Sequence, residues 1–531
     1  MKLIKIFSDR VQIKTDSVHL AGIKINDLLQ LSDGTTAIIC IVTGITSNDS
    51  LAVVNFDDLS EFDQDLLSQS EANNTIECGI LGSLRGRKFT KSIDVYPTTK
   101  VDVSPIDSEA FLEMLDWDDS AFQLGSYASY ATPAMIDGNK LFQRHFAIMG
   151  NTGSGKSVTV ASLLEKAASK SSSNVILFDL HGEYSGLPFA KTVKIGNGGL
   201  DFPLWFLPFR DIYGSMLRLK DESATLQLSA LRKAFYKARN SDKGEELPLA
   251  FFTSTLLYDL KEQNEDVVFT GEYYKTGDRA GEAKTVKGEN NGKLTSVITL
   301  LEDKLTDSRY EFMAREHSQN YLYEFLDSVF SINEKNVKII DLSDAPHDMI
   351  PVIVAVVTKL IYSVQLQQKR ESILPLCIVC EEAHVYIPSS DFGLGASQRR
   401  LLEIFETIAK EGRKFGTTLC IVSQRPSELN KTIMAQCANF IVMKMTNESD
   451  KSMIKGILPE SSRAIIDMLS LFSAGDCFVI GDSAEITLKT RVDMPSHEPK
   501  SNTISTWDIW GQAHTLDVAG LVDGLLEVVD A

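Results

Sequence analysis

A run of consecutive residues has the composition and spacing of a loop that binds phosphate groups. It reads Gly150-Asn151-Thr152-Gly153-Ser154-Gly155-Lys156-Ser157 and matches the pattern G-x-x-x-x-G-K-[ST]. Glycines let backbone N–H groups approach phosphate oxygens, and the lysine places a positive charge within reach of the β- and γ-phosphates. The hydroxyl of Ser157 is suited to bind Mg²⁺. The pattern therefore predicts ATP and Mg²⁺ as ligands, with Thr152 and Ser154 only lining the loop.

The segments around this loop agree with the motif. An apolar, strand-like run covers residues 146–149, and a helix-like stretch covers residues 158–170. A phosphate loop needs this order because the N–H groups that open a helix point at the bound anion.

Two adjacent carboxylates follow a second apolar run, residues 376–380. They are Glu381 and Glu382, and His384 comes shortly after them. ATP hydrolysis needs one acid to organise Mg²⁺ and another to orient or deprotonate the attacking water. We assign Glu381 to the metal and Glu382 to the water; the alternative is that both acids only begin a loop. His384 is a sensor of the γ-phosphate or a structural histidine.

A third apolar run, residues 419–422, leads into Ser423 and Gln424. A neutral amide at this place can sense the γ-phosphate or hold the water, or it can simply cap a turn. Arg413 precedes the strand. Such an arginine can neutralise charge in a neighbouring subunit's site, or it can form a surface salt bridge.

A further strand pattern, residues 175–179, ends at Asp179, and Glu183 follows. Alternating strands and helices predict a parallel sheet, whose carboxyl edge is where ligands bind. The two acids are therefore candidate neighbours of the nucleotide, unless they belong to a surface loop.

Composition places the chain among large globular proteins. It has 531 residues, 43% hydrophobic and 24% charged, with a net charge of -19. This length predicts about two to four domains. The acidic balance argues against a protein that coats DNA with its whole surface, although it permits a narrow basic pore.

Neither a membrane span nor a disulfide framework is expected. No uninterrupted apolar run approaches bilayer length, which predicts a cytoplasmic protein without membrane contact. Seven cysteines without regular spacing fit a reducing compartment. Cys377 and Cys380 form a C-x-x-C, but no second pair lies near them, which argues against a zinc site.

Short alternating segments at 36–43, 51–56 and 93–96 predict a small N-terminal β-barrel. The predicted organisation is a barrel over 1–125, the first part of an ATPase core over 126–205, a helical insertion over 206–334, the second part of the core over 335–495, and a C-terminal tail or brace over 496–531. Within the insertion, residues 276–291 are expected to form a surface loop.

Four ordered motifs, GNTGSGKS, DLHGEY, CEEAH and EGRKFG followed by SQRPS, resemble those of the HerA-type ATPases, in the FtsK and HerA branch of RecA-like P-loop NTPases. The resemblance spans roughly residues 130–495. It implies an α/β, RecA-like sheet domain with a helical insertion, preceded by a barrel like that of the family.

The resemblance also implies a homo-hexameric ring that uses ATP to translocate double-stranded DNA through its pore, with a partner nuclease or effector. By motif position, Lys156 and Ser157 would bind nucleotide and Mg²⁺, Glu382 would be the catalytic carboxylate and Gln424 the sensor. Arg144 falls where the family can place an arginine that serves the adjacent subunit. One residue departs from the family, which usually carries Asp where this chain has Glu381.

Two classes of function stay open. The first is a DNA-translocating ATPase. The second is a nucleotide-controlled ring scaffold that assembles and regulates an effector, a nuclease or a sirtuin-like NADase, in anti-phage defence. A metabolic P-loop kinase fits poorly, because such enzymes are usually smaller and no acceptor-substrate pocket is recognisable.

Overall fold

A computed structural model describes residues 1–15, 20, 22–34, 36–46, 74–97, 100–219, 225–240, 249–389, 396–463, 465–500, 506–511 and 517–522. The chain forms two compact units. The first comprises Met1–Lys170, Pro375–Ser389 and Glu406–Glu498, and the second comprises Ser171–Leu374, Ser390–Phe405 and Pro499–Ala531.

The strands are β1 (Lys2–Ile6), β2 (Arg10–Thr15), β3 (Leu28–Ser32), β4 (Ala37–Thr46), β5 (Asn74–Arg85), β6 (Lys88–Thr90), β7 (Asp102–Pro105), β8 (Ala121–Tyr127), β9 (Pro133–Asp137), β10 (Phe146–Met149), β11 (Val175–Asp179), β12 (Ala190–Lys194), β13 (Val267–Tyr273), β14 (Ala283–Lys287), β15 (Val337–Asp341), β16 (Leu376–Cys380), β17 (Thr417–Ser423), β18 (Asn439–Met443), β19 (Asp476–Gly481) and β20 (Lys489–Val492).

The α-helices are α1 (Ser108–Met114), α2 (Gly138–Phe142), α3 (Lys156–Ala168), α4 (Phe209–Asp211), α5 (Thr225–Asn240), α6 (Phe252–Asn264), α7 (Thr295–Thr306), α8 (Glu311–Ala314), α9 (Tyr321–Phe330), α10 (Ile350–Gln367), α11 (Ala396–Glu411), α12 (Lys431–Met434), α13 (Glu448–Ile457), α14 (Glu460–Arg463) and α15 (Thr506–Trp510).

The N-terminal strands form an open, half-barrel sheet, so the predicted closed barrel is wrong. Their order is β1-β2-β5-β4-β3-β7, with β6 paired to β5, and within the described part of the chain β1 is not hydrogen-bonded to β7. Register shifts between β4 and β5 curl the sheet. Closure requires the two edge strands to pair, and both of these edges are largely exposed.

The strand predictions for this sheet had mixed outcomes. Residues 36–43 lie almost entirely in β4, whereas residues 93–96 form no strand. Residues 51–56 lie outside the described residues. The predicted boundary at residue 125 falls inside β8, which pairs with β20 and so belongs to the sheet that carries the phosphate loop.

The large sheet of the first unit runs in the order β16-β17-β10-β18-β19-β20-β8-β9. The strands from β16 to β18 are parallel, and the remaining neighbours are antiparallel. The four parallel strands are buried along their whole length, as expected for a sheet covered on both faces. Their carboxyl ends therefore share one edge.

The second unit contains the parallel strands β12, β15 and β11, with β15 in the middle. Helices predicted over 223–239 and 293–305 correspond to α5 and α7, apart from residues 223 and 224, which lie outside the described residues. The loop predicted over 276–291 is wrong in part, because it contains β14, which pairs with β13 in an antiparallel hairpin.

Helix α10 is long and apolar enough to cross a bilayer by length and composition alone, with a mean hydropathy of 1.6 over 18 residues. Most of that window, 61%, is buried inside the protein. This burial is typical of the core helix of a folded domain.

Candidate active site

The phosphate loop joins β10 to α3 as the sequence pattern predicts. Gly153 and Gly155 have φ angles of 72° and 103°, in the left-handed region that favours glycine. A Cβ atom at Gly150 would come within 2.8 Å of the Cβ of Met443. The glycines therefore provide both a turn and a close approach to β18.

Neighbouring strand ends hold this loop by backbone hydrogen bonds. The N–H of Asn151 donates to the carbonyl of Lys444 at 2.9 Å, just beyond β18. The N–H of Gly475 donates to the carbonyl of Ser154 at 2.8 Å. Hydrogen bonds to these neighbouring segments thus fix the shape of the loop without a ligand.

The start of α3 fits a triphosphate and its metal. Gly155 is the N-cap and provides no side-chain hydrogen bond to the first turn, so the helix N-terminus is open to an anion. The Nζ of Lys156 donates to the carbonyl of Asn151 at 3.1 Å, which holds the ammonium at the loop. For Mg²⁺, the hydroxyl of Ser157 and the carboxylate of Glu381 are the candidate oxygen ligands, and magnesium needs few protein ligands beside substrate phosphates.

Both carboxylates lie directly after β16, at the same sheet edge as the loop. Glu381 is only 6% exposed. Glu382 has a φ of 44°, which is unusual for a residue with a side chain. Backbone strain of this kind costs about 1–3 kcal/mol and is often found at functional sites.

Gln424 lies at the same sheet edge, because it follows the last residue of β17. The Thr152 hydroxyl donates to the Oε1 of Gln424 at 2.5 Å, which connects the phosphate loop to the candidate sensor. Thr152 therefore does more than line the loop. His384 also lies here, with its Nδ1 close to both Glu382 and Ser423.

The two candidate arginines lie at the opposite edge of the sheet. Arg144 precedes β10 and Arg413 precedes β17, and both line a cavity of about 720 Å³ within the first unit. Arg144 pairs with Asp482 at 3.1 Å. Arg413 is exposed and forms no ion pair within the described part of the chain.

Comparison with known proteins identifies relatives of this chain. A family model for the central domain of helicase HerA matches residues 122–361. The DNA double-strand break repair helicase HerA of Saccharolobus solfataricus is 28% identical over 437 residues, which are 77% of this chain and 80% of that protein. The protein of the same name from Sulfurisphaera tokodaii is 30% identical over 356 residues, 66% of this chain and 65% of that protein.

This chain is similar to the HerA helicases over most of its length. A solved structure, VirB4 of Thermoanaerobacter pseudethanolicus, matches 72% of this HerA-type chain and 99% of its own, with a TM-score of 0.50 at 15% identity. That likeness concerns the fold alone and supports the predicted α/β fold of a P-loop NTPase. This HerA-type protein is an ATP-hydrolysing enzyme.

Asp179 and Glu183 belong to the second unit of the HerA-type chain. The Asp179 carboxylate accepts backbone hydrogen bonds from His181, Glu183 and Tyr184. Burial nevertheless raises its pKa. Asp179 thus shapes its own loop, and a role for it in binding nucleotide stays a prediction, as it does for Glu183.

The cysteines of this HerA homologue offer no reactive or metal-binding thiol among the described residues. All seven are buried and free. Burial raises the pKa of Cys377 to about 12, which keeps its thiol protonated. Within the same residues, no cluster of three or more His, Cys, Asp or Glu side chains could hold a metal ion.

Sequence reasoning missed two residues. One contacts the phosphate loop, and the other contacts the candidate arginine Arg144. The hydroxyl of Thr446 accepts a hydrogen bond from the Nδ2 of Asn151 at 2.8 Å. Thr446 follows β18, which ends at the sheet edge that carries the phosphate loop. An apolar run followed by polar residues could therefore have identified it, as it did for Glu382. Asp482, the partner of Arg144, had no comparable signal.

Proposed function

We propose that this HerA-type ATPase is a homo-hexameric ring motor that translocates on double-stranded DNA together with a partner nuclease or effector. The observation that carries the proposal is the opposite placement of the arginines and the phosphate loop. Other parts of the proposal, including DNA as the track, rest on the similarity to HerA helicases and on the names of those relatives.

The placement can be expressed as a distance. Arg144 and Gly150 lie at opposite ends of β10, and Arg413 and Gln424 at opposite ends of β17. At about 3.3 Å per strand residue, β10 alone separates the first pair by at least about 10 Å, and β17 separates the second pair by about 20 Å. Both arginines therefore lie on the side of the sheet away from the phosphates that their own loop would bind. In the proposed ring, both would serve the site of an adjacent subunit, which requires an oligomer.

In the proposed reaction, Lys156 and the N-terminus of α3 hold the phosphates of ATP. Glu382 takes a proton from water as the water oxygen attacks the γ-phosphorus, and ADP leaves with the bridging oxygen. Gln424 orients that water. Mg²⁺, held by Ser157 and Glu381, would neutralise charge on the phosphate oxygens.

The scaffold function is the second candidate. A net charge of -19 and the longer Glu381 side chain at the metal position favour it, because they weaken the case for tight DNA binding and fast turnover. In that case nucleotide would control an effector, a nuclease or a sirtuin-like NADase, in anti-phage defence. A cytoplasmic location stays a prediction for either function.

The ATPase rate tests the proposal. Wild type, Glu382→Gln and the exposed control Glu109→Gln are measured with and without linear duplex DNA at two salt concentrations. We expect turnover that rises with DNA, weakens at high salt and is lost only in Glu382→Gln. Turnover indifferent to DNA would instead support the scaffold, and full turnover in Glu382→Gln would refute the assignment of the base.

Mixed rings test the arginines. One subunit carries Arg144→Ala and Arg413→Ala, and the other carries Lys156→Ala. Each homogeneous ring should be inactive, whereas a mixture should regain part of the turnover, because an intact loop then meets intact arginines from a neighbour. A mixture that stays inactive, although both variants assemble with wild type, would contradict a role in trans.

A further inference from the structure

His384 is brought against the candidate catalytic carboxylate by the turn that follows β16. The left-handed backbone of Glu382 leads into a 3-10 turn at Ala383–Val385, which folds the histidine back. Its Nδ1 lies 3.2 Å from the Oε2 of Glu382. The two side chains are only 16% and 15% exposed, so water competes little for this contact.

The same nitrogen lies 3.4 Å from the hydroxyl of Ser423, at the end of β17. Ser423 also accepts a hydrogen bond from the backbone N–H of Arg425 at 3.0 Å. His384 thus stands between the strand that carries the two acids and the strand that leads into Gln424.

Neighbouring groups determine which ring nitrogen carries the proton. An ionised carboxylate can only accept, so the nitrogen that faces Glu382 must donate. Burial lowers the pKa of His384, and the charge of Glu382 opposes this shift. The lowered pKa favours the neutral ring, which carries a single N–H. The Nδ1–H then faces both the Glu382 carboxylate and the Ser423 hydroxyl, and the Nε2 keeps its lone pair.

The Glu382 carboxylate lacks a hydrogen-bond donor for one of its oxygens within the described part of the chain. Its Oε2 is buried and receives no aligned hydrogen bond from any residue that the structure describes. The Nδ1 of His384 lies within 3.2 Å of this oxygen but is not aligned for a full hydrogen bond. Catalytic hydrogen bonds are often loose without substrate and tighten in the reacting complex.

We propose that His384 is a positioning residue, whose Nδ1–H fixes the Glu382 carboxylate toward the attacking water and ties it to Ser423 beside Gln424. The proposal rests on the proposed role of Glu382 as the base. It concerns orientation only, and His384 itself takes no proton from the water.

Substitutions that keep or remove one nitrogen test this role. In His384→Asn, the amide nitrogen can occupy the position of Nδ1; in His384→Gln, it extends toward the position of Nε2; and His384→Leu has neither. We expect the asparagine variant to keep kcat within about threefold, whereas the other two lose up to about 10²-fold, the effect of a misplaced catalytic group. The KM for ATP should stay unchanged in all three.

Fluorescent nucleotide binding and thermal melting accompany the kinetics, so that a folding defect is recognised. An asparagine variant as slow as the leucine variant, with both folded and binding nucleotide, would overturn the proposal. A change in KM instead of kcat would also overturn it, since it would place His384 in nucleotide binding. The turnover of Glu382→Gln is scored separately, so failure of the base assignment is distinguishable from failure of this inference.

Discussion

The buried lysine of the second unit gives a prediction whose magnitude follows from the structure. Lys338 is 0% exposed and lies in β15, the middle strand of its sheet. Its Nζ donates to the Oδ1 of Asn174. A charged ammonium loses its hydration here and gains only a neutral amide. We expect Lys338→Met to stabilise the protein at neutral pH.

Burial lowers the pKa of Lys338 from 10.5 to about 7. Because Lys338 binds its proton more weakly in the folded state than in the unfolded state, stability is lost as the pH falls from 10.5 toward 7. The full penalty applies below pH 7. A difference of this size corresponds to roughly 5 kcal/mol. The unpaired Asn174 of the variant costs about 1–3 kcal/mol, which leaves a net gain of about 2–4 kcal/mol.

Thermal melting of wild type and Lys338→Met at pH 7 and pH 10 measures this effect. At pH 7 the melting temperature should rise by roughly 5–10 °C. At pH 10 the gain should vanish or reverse, because the lysine penalty falls to about 1 kcal/mol while the unpaired amide remains. The control is Lys261→Met, which removes an exposed pair with Glu302 and should change little. A variant no more stable than wild type at pH 7, or a gain independent of pH, would refute the reasoning.

Three further results are expected. Gly155→Ala should weaken binding of a fluorescent ATP analogue by tenfold or more, because φ is 103° and a Cβ would lie 3.0 Å from the backbone nitrogen of Gly475. Gly153→Ala, with no atom within 4 Å of its Cβ, should weaken binding less. Equal losses would contradict the packing argument. Burial lowers the pKa of His145 from 6.5, so wild-type stability should fall as the pH drops below 6.5. His145→Asn can still accept the hydrogen bond from the N–H of Leu419 and should melt with a shallower acid dependence; an unchanged dependence would exclude His145 as its source. No cysteine should react with a thiol reagent in the native protein, and all seven should react after unfolding. A thiol that reacts before unfolding would contradict the buried placement.

The sequence alone determined the phosphate loop and the main elements beside it. The loop is a contiguous segment whose glycines and lysine act locally, so its chemistry is readable without the fold. Apolar runs that end in polar residues also placed Glu382 and Gln424 at strand ends. Since parallel strands end at a common edge, their grouping with the loop follows from the α/β pattern.

Only the tertiary structure decided how these side chains engage one another. The contacts of Thr152 with Gln424 and of His384 with Ser423 join residues from different strands, and no periodicity encodes such pairs. The pairing of Arg144 with Asp482 and the open N-terminal sheet likewise depend on which distant segments meet. Local pattern determines which face of an element is apolar, whereas strand pairing and the burial of polar groups are non-local, so they emerge only when the chain has folded.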